Sequence, residues 1–597
     1  MKKRKLLRLA TLLCFSLALV VTGLGVNNYL KQHPAGISGH GSSTEEHQKE
    51  FDTYLEELFT QEVTASTINL HYTLKNPENF GITDYVVTYG DISESSYQQS
   101  FFALENMRKV LDSFDKRKLD LSGRLIYDSL YEQTELELSA GEMYLYQEML
   151  RPSTGVQAEL PVLMAEYAFY DEKDVLDYLA LLNQTKGYSR QILLFQMEKA
   201  NHGLFMPQFA AEDIISQCKN FIADKENNYL LDTFADKIDA MTELNEEQKQ
   251  AYKEQNRQAV TESVIPAYEM MIQGLEKLKT SGKNQQGLCH LPKGKEYYEY
   301  LVKAYTGSDR SLPIMQEATK EKRARDMSEA AKLLSEEPDL LAQAASYAFS
   351  QQDPTAILKE LQEKMQQDFP APPDINFTVK YVHPSLEEFM APAFYLAVPI
   401  DDISQNSIYI NGSNHYQKLK LYTTLAHEGY PGHLYQNVME RSQEFPAIRS
   451  LLGTSGYSEG WATYVEMIAY QYADMDAKLA QLLQKDQSAL LSLYATADMG
   501  IHYDGWSLEE MKSFFGEYQI TNEEVLTDIY QLIVEEPAHY LKYYIGYLEF
   551  LDLKAYAEEL YGKDYSDYRF HEALMKMGPA QFSILKEYLP EYYKKAE

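Results

Sequence analysis

The stretch LAHEGYPGHLYQ (residues 425–436) contains two histidines and a glutamate, arranged as His427-Glu428-x-x-x-x-His433. Zinc peptidases commonly carry the shorter pattern His-Glu-x-x-His, which places both imidazoles on one face of a helix. In a regular helix, side chains six residues apart point about 120° away from each other and lie about 9 Å apart along the axis. An undistorted helix therefore cannot direct His427 and His433 to one ion.

Pro431 and Gly432 are the residues that would distort this helix. The Pro431 ring lacks an N–H and clashes with the carbonyl of His427 if the helix stays regular, and Gly432 can adopt backbone angles that other residues avoid. We expect a helix over Thr423–Glu428 followed by a bulge that swings His433 back beside His427. The alternative is a capped helix end and an ordinary Pro-Gly turn without a metal.

A second acidic segment, SGYSEGWATYVE (455–466), offers a third ligand. Catalytic zinc takes three protein ligands and keeps one position for water, and His427, His433 and Glu459 fit that count. Glu428 would be the general base beside the activated water. The alternative for Glu459 is a solvated carboxylate at the start of a helix.

Length and charge restrict the class of protein. The chain has 597 residues and a net charge of −34, which predicts a large multi-lobed body and argues against binding to nucleic acid. Of its three cysteines, Cys14 lies in a hydrophobic leader. Cys218 and Cys289 can form at most one disulfide within the chain, so cysteine usage does not define the compartment.

The N-terminus has the pattern of an export signal. Basic residues in positions 2–8 precede an uncharged run of 18 residues from Leu9 to Val26, which is near the lower length limit for a membrane span. No clear Ala-x-Ala cleavage site follows, so we favour an uncleaved anchor in residues 1–29 over a cleaved signal peptide. The positive flank places the body outside the cytoplasm, anchored or secreted. Residues 30–44 are rich in Gly, Ser, Pro and His and predict a flexible linker.

Helical periodicity dominates residues 45–597. Apolar residues recur at helical spacing around 98–113, 174–182, 244–280, 312–348, 415–440 and 457–498. We therefore predict a mainly α-helical, two-lobed body with a central cleft, and active-site helices near 415–500.

Residues 372–411 have a different pattern. Apolar and polar residues alternate from Ile375 to Tyr381, as in a half-buried strand, and 395–398 and 407–410 are potential partner strands. A small β-sheet is thus expected just before the motif helix. An exposed edge of this sheet would bind an extended peptide, whereas an internal packed hairpin is the alternative.

Several further motifs follow in a fixed order, namely LAHEGYPGH (425–433), SEGWATYVE (458–466), ADMGIHYDGWS (497–507), EEPAHYLKYYIG (535–546) and FHEALMKMGP (570–579). Together they resemble the DUF885 family of bacterial proteins, which is grouped with the gluzincin-like metallopeptidases. Looser similarity extends to 202–208 and 287–307 and thus to most of the chain beyond the linker. The resemblance implies a reaction class rather than a particular substrate.

The resemblance also assigns roles to residues. It implies that His427, His433 and Glu459 bind one Zn²⁺ ion, with Glu428 as the base. Tyr543, in the Tyr-x-Ile-Gly pattern, would donate to the oxyanion of the tetrahedral intermediate. The alternative is that Tyr543 is one of many tyrosines on a packed helix.

Four other residues in these motifs have expected supporting roles. His502 and His571 would bind a substrate carbonyl or carboxylate, or else be hydrogen-bonded core histidines. Asp498 would orient His502 from one turn earlier, and Glu466 would support the metal ligands or face water. His539 and Tyr540 stand where the family pattern has smaller or amide residues, which affects substrate preference more than chemistry.

These observations predict a zinc metallopeptidase that acts on short peptides, with no nucleic-acid partner and with membrane contact only through the N-terminal segment. One alternative keeps the metal but acts on cell-wall amides or modified amino-acid amides. Another is a non-catalytic extracytoplasmic binding protein. The natural substrate, endo- or exo-specificity and oligomeric state are not determined by the sequence.

Overall fold

The computed structural model describes residues 43–595 apart from 142, 383–386, 388–390 and 413–420. The leader predicted in residues 1–29, and most of the linker, lie outside the described residues. The described part is mainly helical, as predicted. The predicted division into two lobes around a cleft stays a prediction.

The helices fall into two groups, one on each side of the sheet along the chain. Those before the sheet are α1 (Thr44–Thr64), α2 (Thr67–Thr73), α3 (Glu94–Ser113), α4 (Leu121–Ala140), α5 (Val156–Glu166), α6 (Glu172–Asn201), α7 (Gln208–Phe221), α8 (Tyr229–Ala240), α9 (Glu246–Ala259), α10 (Ile265–Leu278), α11 (Gly294–Thr306), α12 (Leu312–Glu336), α13 (Leu340–Ser346) and α14 (Pro354–Lys364). Those after it are α15 (Leu421–Glu428), α16 (His433–Arg441), α17 (Ser455–Tyr472), α18 (Ala477–Met499), α19 (Leu508–Glu517), α20 (Glu523–Glu535), α21 (His539–Tyr561), α22 (Asp567–Met577) and α23 (Phe582–Lys595).

The sheet has three strands, β1 (Asn376–Tyr381), β2 (Ala393–Leu396) and β3 (Gln405–Ile410), in the spatial order β1-β3-β2. β3 pairs parallel with β1 and antiparallel with β2. The predicted strands are confirmed, with shifts of one or two residues at their ends. Within the described residues β1 and β2 form the two edges of this sheet. β2 and β3 are an antiparallel pair and the first three residues of β2 are buried, so this pair has the character of the packed hairpin named as the alternative.

The largest hydrophobic core surrounds the helices that carry the motifs, α15, α16, α17, α21 and α22. Its largest fully buried side chain is Trp461, whose indole N–H donates to the carbonyl of Pro431 at 3.0 Å. This hydrogen bond ties α17 to the turn between α15 and α16. A second core joins α5 to α10 and a third joins α1 to α4.

Two further features concern membrane-spanning helices and disulfide pairing. None of the helices in the described part of the chain has the length and apolar character needed to cross a bilayer. Cys218 and Cys289 are both free thiols, so they do not pair with each other.

Candidate metal centre

The motif forms two short helices instead of one bulged helix. α15 ends at Glu428 and α16 begins at His433, and the Tyr435 N–H donates back to the carbonyl of Gly429 at 3.1 Å. A Cβ added to Gly432 would lie 1.8 Å from the carbonyl oxygen of His427. The chain therefore needs glycine here because it passes directly over the end of α15, and the expected bulge is corrected to a helix break.

This break brings the three predicted ligands together. Each of these residues, His427, His433 and Glu459, offers one ligand atom, and the three atoms lie within 4.8 Å of one another. The Oε2 atom of Glu459 is 3.5 Å from Nε2 of His427 and 3.6 Å from Nε2 of His433. Two ligands about 2.1 Å from a tetrahedral zinc ion are about 3.4 Å apart. The measured separations fit that arrangement.

The same three atoms lack other partners. The Nε2 atoms of His427 and His433 and the Oε2 atom of Glu459 are buried and have no hydrogen-bond partner among the described residues. The three residues are at most 5% exposed. Buried polar atoms are almost always hydrogen-bonded, so three unpartnered atoms that converge on one point fit the donor set of a metal ion. The donor set is one that zinc prefers.

Glu466 contacts one of the predicted ligands instead of facing only water. Its Oε2 atom lies 3.3 Å from Nδ1 of His427. Metal-bound histidines usually donate their second ring N–H to a carboxylate or carbonyl, which fixes the orientation of the ring. The contact places the Nε2 atom of His427 towards the centre.

Glu428 lies beside the ligands and is fully buried. One carboxylate oxygen, Oε2, accepts a hydrogen bond from the Tyr395 N–H in β2 at 3.0 Å. The other, Oε1, has no hydrogen-bond partner among the described residues. Burial raises the pKa of Glu428 to about 8, although His427 opposes the shift. Glu428 is therefore held by a backbone donor with one oxygen free to accept a proton.

The electrostatics of the site suit a dication. Burial lowers the pKa of His433 to about 4, which keeps the imidazole neutral as a metal ligand must be. Burial also opposes the charged form of His427, but Glu459, Glu466 and Glu428 outweigh it and raise the pKa to about 10. The carboxylates of Glu459 and Glu466 thus lie beside the imidazoles in a buried region, and a bound cation would compensate their charge.

Lys542 is a site residue that the sequence reasoning missed. Its Nζ atom lies 3.5 Å from Oε1 of Glu459, on the opposite oxygen from the two histidines. Burial raises the pKa of Glu459, but Lys542 and the two imidazoles lower it by a larger amount. The net pKa is therefore well below the usual range of a glutamate. The position of Lys542, next to Tyr543 in the same motif, was the available signal.

Tyr543 reaches the site from α21. Its ring centroid is 6.3 Å from that of His427. Burial raises its pKa well above the ordinary value, and it lies close enough to Glu459 for that carboxylate to raise the pKa further, so the hydroxyl stays protonated as a donor. α21 can approach α17 this closely because a glycine of each helix lies at their contact. A Cβ on Gly460 of α17 would lie 2.4 Å from the carbonyl carbon of Gly546 in α21.

His502 is a core histidine and lies outside the metal centre. Its Nδ1 accepts from the Leu288 N–H at 3.1 Å, and its Nε2 is 2.8 Å from the carbonyl oxygen of Ile533. Both ring nitrogens are thus occupied by the backbone, and the predicted substrate contact is wrong for this reason.

Asp498 does not orient His502, contrary to the prediction. Its Oδ1 accepts from the Tyr298 hydroxyl at 2.7 Å and from the Ala538 N–H at 3.0 Å. Ala538 immediately precedes α21, so Asp498 fixes the start of the helix that carries Lys542 and Tyr543.

His571 is also a hydrogen-bonded core histidine instead of a substrate ligand. Its Nε2 is 3.0 Å from the Tyr464 hydroxyl and its Nδ1 is 2.7 Å from the carbonyl oxygen of Asp368. Its ring stacks on Phe369 with 3.9 Å between centroids. Burial lowers its pKa to about 4, so it is neutral.

The chain matches the family described as "Bacterial protein of unknown function (DUF885)" over residues 78–589. Because the match covers most of its length, the chain belongs to the DUF885 family. No curated protein matches the chain significantly.

Two solved structures share the fold. A crystal structure of a Colwellia psychrerythraea protein assigned as a lipoprotein has a TM-score of 0.79 and 21% sequence identity, and the match covers 93% of this chain and all of that one. A Shewanella oneidensis protein of unknown function, also assigned as a lipoprotein, has a TM-score of 0.63 and 16% identity over 92% of this chain and all of that one. At these identities the likeness establishes the fold alone.

Proposed function

We propose that the protein is a gluzincin-like zinc hydrolase that cleaves peptide bonds in short peptides. The observation that carries this proposal is the convergence of buried, unpartnered atoms of His427, His433 and Glu459 beside the unpartnered Oε1 of Glu428. A structural cluster of this kind without a cation would leave several polar atoms desolvated and unsatisfied, which costs stability.

The chemistry is divided between the ion and the protein. Zinc, when bound to this site, would polarise a water molecule and a substrate carbonyl. Glu428 accepts a proton on Oε1 while the Tyr395 N–H holds Oε2. The same carboxyl group can then donate the proton to the leaving amine.

Tyr543 is proposed to stabilise the negative charge that develops on the carbonyl oxygen. Its hydroxyl is buried and protonated, which are the properties required of an oxyanion donor in a region of low dielectric. His539 lies beside it, with 5.6 Å between ring centroids. Burial keeps the pKa of His539 well below its usual value, so this imidazole is a neutral second donor next to Tyr543.

The edge strand β2 is proposed to bind the substrate backbone. β2 pairs with β3 on one side, and from its other side the Tyr395 N–H reaches Glu428. A peptide that extends this edge would pass the general base with its backbone held by hydrogen bonds. Extended short peptides suit such a site better than folded proteins.

We also propose that the protein acts outside the cytoplasm and is attached to the membrane. The basic and apolar pattern of residues 1–29 supports this location. The assignment of both structural neighbours as lipoproteins is consistent with it.

The test uses the full chain purified in detergent. Zinc content is measured by mass spectrometry of the metal, and cleavage is followed in a mixed pool of short peptides. Glu428→Gln should keep near-stoichiometric zinc and lose turnover by about 10²–10⁴-fold, whereas His427→Ala should lose the metal. Exposed Glu363→Gln is the matched control and should change neither property.

The outcomes separate the candidate functions. Normal turnover by Glu428→Gln contradicts the proposed base. Turnover of amide substrates without cleavage of any peptide favours an amidase, and a pure protein that binds no zinc favours a binding protein.

A further inference from the structure

A separate cavity of about 310 Å³ lies next to the metal centre. Leu396, Asn437 and Ser458 line it. Leu396 follows Tyr395 in β2, Asn437 is one helical turn beyond His433, and Ser458 directly precedes Glu459. Part of the cavity wall is thus built from chain neighbours of residues in the candidate metal centre, although no proposed metal ligand itself lines it.

The cavity is lined by a buried arginine whose guanidinium group is only partly hydrogen-bonded. Arg449 lines it and is only 2% exposed. One guanidinium nitrogen, Nη2, donates to the carbonyl of Met577 at the end of α22. The Nη1 atom is buried and has no hydrogen-bond partner among the described residues. The guanidinium carbon also lies 5.4 Å from the centroid of the Phe445 ring. These contacts leave the Nη1 atom without a hydrogen-bond partner.

The other charged groups in the lining are Arg441 and Glu440. Arg441 donates to the side chain of Asn437. Glu440 accepts from the Tyr457 hydroxyl at 2.8 Å, and burial raises its pKa to about 7, so its negative charge is reduced near neutral pH. The positive groups therefore exceed the negative ones.

The N-terminus of α17 adds to the positive potential. Ser455, the first residue of this 18-residue helix, lines the cavity together with Thr454 and Ser458. The Thr454 hydroxyl accepts one N–H of the first turn, from Tyr457 at 3.2 Å. A helix N-terminus presents further N–H groups and a partial positive charge, both of which favour an anion.

An adjacent cavity provides a contrast. It has a volume of about 690 Å³ and shares Phe80 and Phe445 with the first cavity. Its described lining contains several carboxylates and no basic side chain, with Asp52, Glu56, Asp120 and Glu444 as the acidic residues. Of these two cavities, only the one beside the candidate metal centre has more basic than acidic side chains in its described lining.

We propose that the 310 Å³ cavity is a substrate subsite that binds a carboxylate through Arg449 and the first turn of α17. The carboxylate comes from an acidic side chain or from the C-terminus of a short peptide. This inference rests on the proposed peptide hydrolysis and specifies its substrate class. Charged hydrogen bonds of about 1.5–3 kcal/mol would favour a carboxylate over an amide by about 10–100-fold.

The experiment measures binding without turnover. The full chain carrying Glu428→Gln is titrated calorimetrically with two pairs of peptides. The first pair is Ala-Ala-Glu-Ala-Ala-amide and Ala-Ala-Gln-Ala-Ala-amide, which tests a side-chain carboxylate. The second pair is penta-alanine with a free or an amidated C-terminus. We expect the acidic member of one pair to bind at least about 10-fold more tightly, and that pair identifies the source of the carboxylate.

Two substitutions test whether the cavity causes this preference. Ser455→Asp adds a negative charge to its lining at a position where acidic residues stabilise a helix, and it should abolish the preference, while Ser455→Asn should retain it. Arg449→Met should also abolish it. If Arg449→Met fails to fold, the Ser455 pair decides.

Specific results would overturn the proposal. Equal affinity within both pairs, including no measurable binding of any peptide, contradicts it, as does a preference that survives Ser455→Asp. Turnover of the four peptides by the unsubstituted chain distinguishes failure of the subsite proposal from failure of the proposed peptide hydrolysis. Cleavage of all four peptides at equal rates rejects the subsite and supports hydrolysis. Carboxylate-selective binding without cleavage supports the subsite and rejects hydrolysis.

Discussion

Substitution of Gly432 by alanine tests the geometry on which the proposed metal centre depends. The added Cβ would lie 1.8 Å from the carbonyl oxygen of His427 and 2.3 Å from that of Ala426. Both are backbone atoms, so no side-chain rotation relieves the clash. A carbon–oxygen contact needs about 3.2 Å, and the chain at Gly432 must therefore move away from the end of α15 by roughly 1.4 Å.

This movement carries His433 with it. His433 follows Gly432 directly, and its Nε2 lies 3.6 Å from the Glu459 carboxylate with which it would share the ion. Metal–ligand distances tolerate changes of only about 0.2 Å. We expect zinc affinity to fall at least about 100-fold, the upper range for loss of a residue that merely supports a ligand. This corresponds to about 2.7 kcal/mol of binding free energy.

Competition with a chromophoric zinc chelator measures the affinity, and circular dichroism monitors helix content. Gly187→Ala is the matched control because Gly187 lies inside α6 with nothing within 4 Å of an added Cβ. It should leave zinc affinity unchanged and stabilise the helix by about 0.5–1 kcal/mol. Unchanged affinity in Gly432→Ala, or an equal loss in Gly187→Ala, would refute the reasoning.

Three further substitutions probe the surroundings of the site. Glu466→Gln removes the carboxylate behind the first histidine and should weaken zinc binding about 10–100-fold in the same competition assay; unaltered affinity would show that this contact is unimportant. Gly546→Ala places a Cβ 2.3 Å from a carbonyl oxygen of the facing helix, so Tyr543 should shift and kcat should fall while zinc content is retained; unchanged kcat argues against the role of Tyr543. Burial lowers the pKa of His502 and His571 from 6.5 to about 4, so the unfolded chain takes up protons first and the free energy of unfolding should fall as pH drops from about 6.5 to about 4, by up to about 3 kcal/mol per histidine. His502→Gln should flatten this dependence in thermal melts, and an identical profile for variant and wild type would contradict the assignment.

Local patterns were sufficient to predict much of the fold. Helical periodicity predicted the mainly α-helical body, and alternation from Ile375 to Tyr381 predicted β1. The end of α15 near Glu428 followed from Pro431 and Gly432, since both residues act on the adjacent backbone. These features depend on neighbours in the sequence, which is why the sequence contains them.

The predicted metal residues also came together, but some of the supporting contacts were not foreseeable. His427, His433 and Glu459 converge as expected. The Tyr395 N–H that holds Glu428 and the Lys542 ammonium beside Glu459 come from distant segments. A motif gives the residue types of a site but not which backbone donor will face it.

His502 and His571 illustrate the opposite error. Their motifs suggested substrate contacts, yet the backbone of Leu288 and Ile533 occupies both nitrogens of His502. The sequence does not distinguish a buried neutral histidine with two hydrogen bonds from a histidine that binds a metal or substrate. Only the position of surrounding backbone groups distinguishes them.

The sequence by itself therefore determined the helical architecture, the end of α15 at Glu428 and the residue types of the candidate metal donors, because periodicity, Pro-Gly geometry and side-chain chemistry are local properties. Tertiary structure alone decided which carboxylate oxygen each partner faces, how closely α17 approaches α21 through Gly460 and Gly546, and which histidines stay in the core. Those outcomes depend on the packing of segments far apart in the chain, where differences of about 1 Å separate a metal ligand from a buried polar group.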